Sequence, residues 1–149
     1  MQVAELLNKG DFEALPKLFD ENAESLRRHL TKLSYSANDD LKARAIHGFK
    51  VLSEHRAAEN QKFFLEIIRR HVWGMNEEGG NNDWSAPEII AAVIIGQPKL
   101  YIQFIPVMFY AAVVEPFFRP SLTVALNMLE EAMPGSTGEL IEEMNSTTY

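Results

Sequence analysis

Residues 73–96 read WGMNEEGGNNDWSAPEIIAAVIIG, a polar, glycine-rich bend that runs directly into an apolar helix. Within residues 73–88 lie both tryptophans, three glutamates, an aspartate, three asparagines and three glycines. Ser85-Ala86-Pro87-Glu88 has the form of a capping box with proline in the first turn, which predicts a helix start. The helix that follows, PEIIAAVIIG, is apolar nearly all round, so it is expected to be the most buried element.

On both sides of this stretch the apolar residues recur at helical spacing. Residues 58–72 place Phe63, Phe64, Ile67, Ile68 and Val72 on one side. Before them, Asn38 or Asp39 caps a helix whose stripe is Leu41, Ala45, Phe49 and Leu52, with Ala45 and Gly48 small enough to admit a close neighbour. Residues 23–33 repeat the pattern with Leu26, Leu30 and Leu33, and residues 35–37 form a loop. Asp11 is expected to cap FEALPKLF, and the first helix closes at Asn8-Lys9-Gly10, where glycine suits a left-handed residue. Downstream, Gly96-Gln97-Pro98 ends the apolar helix and residues 100–113 make the next one. Glu115-Pro116 breaks that helix, and Pro120 or Ser121 opens another through Met133. Ser136-Thr137-Gly138-Glu139 resembles a second capping box, before a terminal helix. No β alternation interrupts the series. The predicted fold is all-α, an α-α superhelix of short antiparallel helix pairs, HEAT-like or armadillo-like. One domain is expected over 1–149, with N-terminal helices in 1–37, a repeat core in 38–133 and a C-terminal helix in 134–149.

Composition bounds the function. At 149 residues, 46% hydrophobic and 23% charged, the chain is long enough to bury a core. It has no cysteine, which removes disulfides and thiolate chemistry, and its first residues lack the basic and apolar blocks of a signal peptide; a cytoplasmic location is expected. The net charge of −7 is uneven: residues 1–72 carry twelve basic and eleven acidic side chains, residues 73–149 only two basic and ten acidic. An acidic half repels a phosphate backbone, so no nucleic-acid partner is expected and a basic partner surface suits it. Residues 100–118 are mostly apolar but contain Gln103, Pro106 and Glu115, so they read as a buried helix rather than a membrane span. The same apolar segment offers a surface for homo-oligomerisation.

The bend also carries a family resemblance. Trp73, Asn76-Glu77-Glu78, Gly80, Trp84 and Pro87-Glu88 fit the pattern W-x-x-N-E-E-x-G-x-x-x-W-x-x-P-E, which resembles that of a group of uncharacterised prokaryotic HEAT-like repeat proteins. KARAIHGFKVLSE, residues 42–54, is similar to the second helix of such a repeat. The resemblance covers roughly residues 41–129; it implies a repeat fold and a binding-module role, and no reaction.

The chemistry of the bend has competing readings. Glu77, Glu78, Asp83 and Glu88 are hard oxygen donors, with Asn76, Asn81 and Asn82 beside them, yet their spacing matches no calcium loop. The glycines and asparagines also suit tight turns closed by a carboxylate. Trp73 and Trp84 either clamp the bend onto its flanking helices or line an aromatic, acidic groove for a cationic ligand or an arginine-bearing peptide. Arg44 is expected to pair with an acid of the bend. His71 stands near enough in sequence to join Glu77 and Glu78, but a lone surface histidine is the favoured reading. HEXXH, GxSxG and P-loop motifs are absent. The sequence therefore points to a non-catalytic protein- or peptide-binding module, with no cofactor and no metal, whose binding residues are Trp73, Asn76, Glu77, Glu78, Trp84, Glu88 and Arg44. The alternative is a metal- or small-molecule-dependent enzyme using Glu77, Glu78, Asp83 and His71.

Overall fold

The computed structural model describes residues 2–76 and 83–148. Every regular element among them is helical: α1 (Val3–Lys9), α2 (Leu15–Leu33), α3 (Asp39–Arg56), α4 (Gln61–Gly74), α5 (Ala86–Gly96), α6 (Pro98–Tyr101), α7 (Phe104–Ala112), α8 (Arg119–Ala132) and α9 (Gly138–Ser146). Single 3-10 turns at Phe12–Ala14 and Pro116–Phe118 lead into α2 and α8.

The polar punctuation explains most boundaries. Gly10 adopts φ 73° after α1, a left-handed conformation in which a side chain would strain. Asn38 caps α3, its Oδ1 accepting the Leu41 N–H at 3.1 Å. α2 is two helices in one: Asn22 leaves helical geometry (φ −161°, ψ 88°) and its Oδ1 accepts the Ser25 N–H at 3.0 Å, restarting the helix as a cap does. Asp11, by contrast, makes no side-chain cap bond. The helix expected over residues 100–113 is divided, because Pro106 lacks an N–H and its ring would collide with the carbonyl four residues earlier, at Ile102. The chain turns there and α7 begins at Phe104 with the proline in its first turn.

α5 is the axis of the fold. All nine residues from Ala86 to Ile94 are buried, as expected of a helix apolar on every side. It packs against α3, α4, α7 and α8, so each flank of the molecule meets the others through it. Burying Ile89, Ile90, Val93 and Ile94 stabilises by roughly 1.5–3 kcal/mol per side chain before entropy is charged. The α3–α5 approach is the closest: a Cβ on Gly96 would sit 2.6 Å from Ser53 Cβ and 2.7 Å from the Lys50 carbonyl oxygen. Ser53 Oγ donates to the Val93 carbonyl at 2.7 Å across the same seam. No helix of the described residues is long and apolar enough to cross a membrane. In residues 100–118, Tyr101, Ile105, Met108, Phe109, Ala112, Val113 and Phe118 are buried, while Ile102, Val107, Tyr110, Val114 and Phe117 face outward.

Candidate functional site

The bend joins α4 to α5, and its two described ends are held together by polar groups. His71 lies one turn before the end of α4, on the stripe of Phe64, Ile67 and Ile68, and is only 5% exposed. Its Nδ1 stands 2.7 Å from Asp83 Oδ2, at the far side of the bend. Asp83 in turn lies across Gly74, where a Cβ would meet Oδ2 at 2.6 Å; that contact needs a glycine. The expected surface histidine is therefore a buried anchor, because residue 71 continues an inward stripe and the partner that compensates it is twelve residues away.

Burial acts on both groups. It pushes the His71 imidazole down to about 4, with the positive Arg27 and Arg70 adding to the effect. It pushes the Asp83 carboxyl up to about 7. At 2.7 Å a single hydrogen bond joins them, and at neutral pH the imidazole is uncharged. With Nδ1 donating to the carboxylate, the geometry assigns the other ring nitrogen, Nε2, as the acceptor. Asp83 Oδ1 is buried without a hydrogen-bond partner among the described residues.

Two more ties fix the entry to α5. Ser85 does not cap the helix; its Oγ donates instead to the Ser34 carbonyl at 2.8 Å, binding the bend to the end of α2. Glu88 is buried, and Lys42 Nζ of α3 approaches its Oε1 at 3.6 Å. The second expected box is likewise absent, since Thr137 Oγ1 donates to the Leu126 carbonyl at 2.9 Å.

The tryptophans do not behave as buried clamps. Trp73 is 56% exposed and Trp84 47%. Trp84 stands edge-on to Tyr35, at 5.5 Å between ring centroids, and to Phe117, at 6.2 Å. Trp73, Tyr35, Thr31, Arg70, His71 and Asp83 line an open cavity of about 410 Å³. Arg70 is not an isolated cation there, lying 4.0 Å from both Glu66 and Glu24, and Glu24 also pairs with Arg27. The Thr31 hydroxyl is engaged with the Arg27 carbonyl at 2.8 Å, so it is not poised beside the imidazole as a nucleophile.

Of the residues expected at the site, Trp73, Asn76, Trp84 and Glu88 surround the described ends of the bend, and Glu77 and Glu78 lie outside the described residues. Arg44 stands elsewhere: its Nη1 donates to the carbonyls of Leu7 and Asn8, capping the C-terminus of α1 rather than meeting an acid of the bend. Among the described residues no three His, Asp or Glu side chains gather as a metal site. Sequence reasoning missed Tyr35 and Phe117, which belong to the aromatic surface; an aromatic in a polar loop and one beside Pro116 were the available signals. Comparison with protein-family models, with curated proteins and with solved structures gives no significant match.

Proposed function

We propose that the chain is a non-catalytic, cytoplasmic interaction module, its helix pairs arranged as a HEAT-like α-α superhelix, that recognises a protein or peptide at the bend. The observation that carries this reading is the half-exposure of both tryptophans above an anchored base. Tryptophan is the side chain that most often dominates recognition surfaces, and a platform fixed beforehand spares the partner the ordering cost. The cavity beside Trp73, about 410 Å³, matches the lower range of pockets that take a small group.

The test is selection of random displayed peptides on the immobilised protein. Peptides should be enriched, and Trp73→Ala and Trp84→Ala should weaken them about tenfold or more while leaving the helical circular dichroism unchanged. Equal binding to wild type and to both variants would remove the reading. A second reading, a metal- or small-molecule-dependent enzyme, draws on one observation: a buried His71–Asp83 pair with an open cavity beside it. It predicts a rise in melting temperature with a divalent metal or a metabolite, and a flat screen counts against it.

A further inference from the structure

The exposed aromatic surface extends beyond the bend. Trp84 touches Phe117, and Phe117 packs edge-on against the buried Phe118 at the start of α8. A few residues earlier, Tyr110 and Val114 face outward at helical spacing, Val114 being 67% exposed. They line a cavity of about 380 Å³ together with Val72, Met75 and Asn76, at the end of α4. One apolar strip thus runs from Trp73 and Trp84 across Phe117 to Val114 and Tyr110.

Its borders are acidic. Glu115 lines the second cavity, and Glu143 of α9 accepts a hydrogen bond from the Tyr110 hydroxyl at 3.1 Å. The half of the chain that supplies most of the strip, residues 73–149, has ten acids against Lys99 and Arg119. Such a surface repels a second copy of itself and an anionic membrane alike. It attracts a basic segment with an apolar face, which is the complement a helix-in-groove contact requires.

We propose that the partner presents a basic amphipathic helix, which lays its apolar face on the strip Trp73–Trp84–Phe117–Val114–Tyr110 and its lysines or arginines against Glu115 and Glu143. This rests on the recognition reading above and names the chemistry of the partner.

The test uses a labelled Leu/Lys amphipathic peptide of about four helical turns and its Leu/Glu counterpart, titrated with the whole chain and read by fluorescence anisotropy. The Leu/Lys peptide binds and the Leu/Glu peptide does not. Trp84→Ala and Val114→Asp each raise Kd about tenfold or more, with unchanged circular dichroism. Glu115→Lys weakens the same peptide, and so does raising salt from about 0.05 M to about 0.3 M, which shortens the screening length severalfold. The proposal is overturned if neither peptide binds, if both bind alike, or if Trp84→Ala and Val114→Asp bind as wild type does. Light scattering that shows a dimer lost in Val114→Asp would assign the strip to a second copy and overturn it as well. If displayed-peptide selection returns acidic or uncharged sequences that still depend on Trp73 and Trp84, recognition at the bend stands and this inference alone falls.

Discussion

Replacing Asp83 by asparagine should make the protein labile to acid in a way the wild type is not. Folding lowers the His71 pKa from 6.5 to about 4, by burial first and then by Arg27 and Arg70. Its contribution to stability is therefore whole above pH 6.5 and is lost as pH falls toward 4. Folding raises the Asp83 pKa from 3.8 to about 7, by burial. That contribution is whole below pH 3.8 and is lost as pH rises toward 7. Across the window from about pH 4 to 6.5 the two run in opposite directions, so the pair contributes little slope: folded and unfolded chains each hold one proton on it.

Asparagine keeps the size of the side chain and removes one of the two titrations. The causes that depress His71 do not include Asp83, so they persist in the variant. The fall from 6.5 to about 4 is worth about 3 kcal/mol, which stability should lose between those pH values. For a chain of this size that is roughly a 6–12 °C fall in melting temperature. Melting curves at 222 nm between pH 4 and pH 7.5 give the comparison, with groups common to both proteins cancelling in the difference. His71→Gln is the mirror: it leaves the raised Asp83 alone, so that variant should lose stability as pH rises toward 7. If wild type, Asp83→Asn and His71→Gln melt with parallel pH profiles, the buried pair does not exist in solution as described.

Three further outcomes follow from single contacts. Gly96→Ala should destabilise by about 1–3 kcal/mol or more, read as a lower urea midpoint, because the new Cβ meets the Lys50 carbonyl and Ser53, and backbone cannot move aside cheaply. Gly74→Ala should cost less, since the atom it meets is the end of the Asp83 side chain; displacing that carboxylate from His71 should instead give the acid lability expected of Asp83→Asn, seen in the same melts. Ser85→Ala should lose about 1–3 kcal/mol in urea titration, by removing the donor to the buried Ser34 carbonyl, although as a failed cap it would have been expected to cost nothing at the helix end.

The helical class was legible because nearly every element carries its apolar residues at three- and four-residue spacing, and α5 could be placed at the centre from its uninterrupted apolarity. What misled was local chemistry read without its neighbours. Ser85 and Thr137 have the right spacing for capping boxes, yet each hydroxyl is drawn to a carbonyl on a packed neighbour, Ser34 or Leu126. Arg44 was legible as a residue with a long-range task but not as a cap for α1, because the chain returns to it through 36 residues that no periodicity resolves. His71 is the sharper case. Its position on the stripe of Phe64, Ile67 and Ile68 marked it as buried, and a buried imidazole needs a partner; only the fold could say that the partner is Asp83.

The distribution of polar and apolar groups at the bend argues for recognition more strongly than any one residue does. A bend that served shape alone would be closed most simply by burying its two tryptophans, each with a large area to remove from water. Here the closing is done by groups that are expensive to bury: a histidine and an aspartate, a serine hydroxyl aimed at a distant carbonyl, and Glu88 facing Lys42. The tryptophans are left half outside, in contact with Tyr35 and Phe117 rather than with the core. Fixing the base with polar ties releases the aromatic rings from structural duty and holds them in place at the same time. That arrangement lowers the ordering cost of an encounter and leaves the area of both rings to be gained on contact, which is the division of labour a binding surface needs.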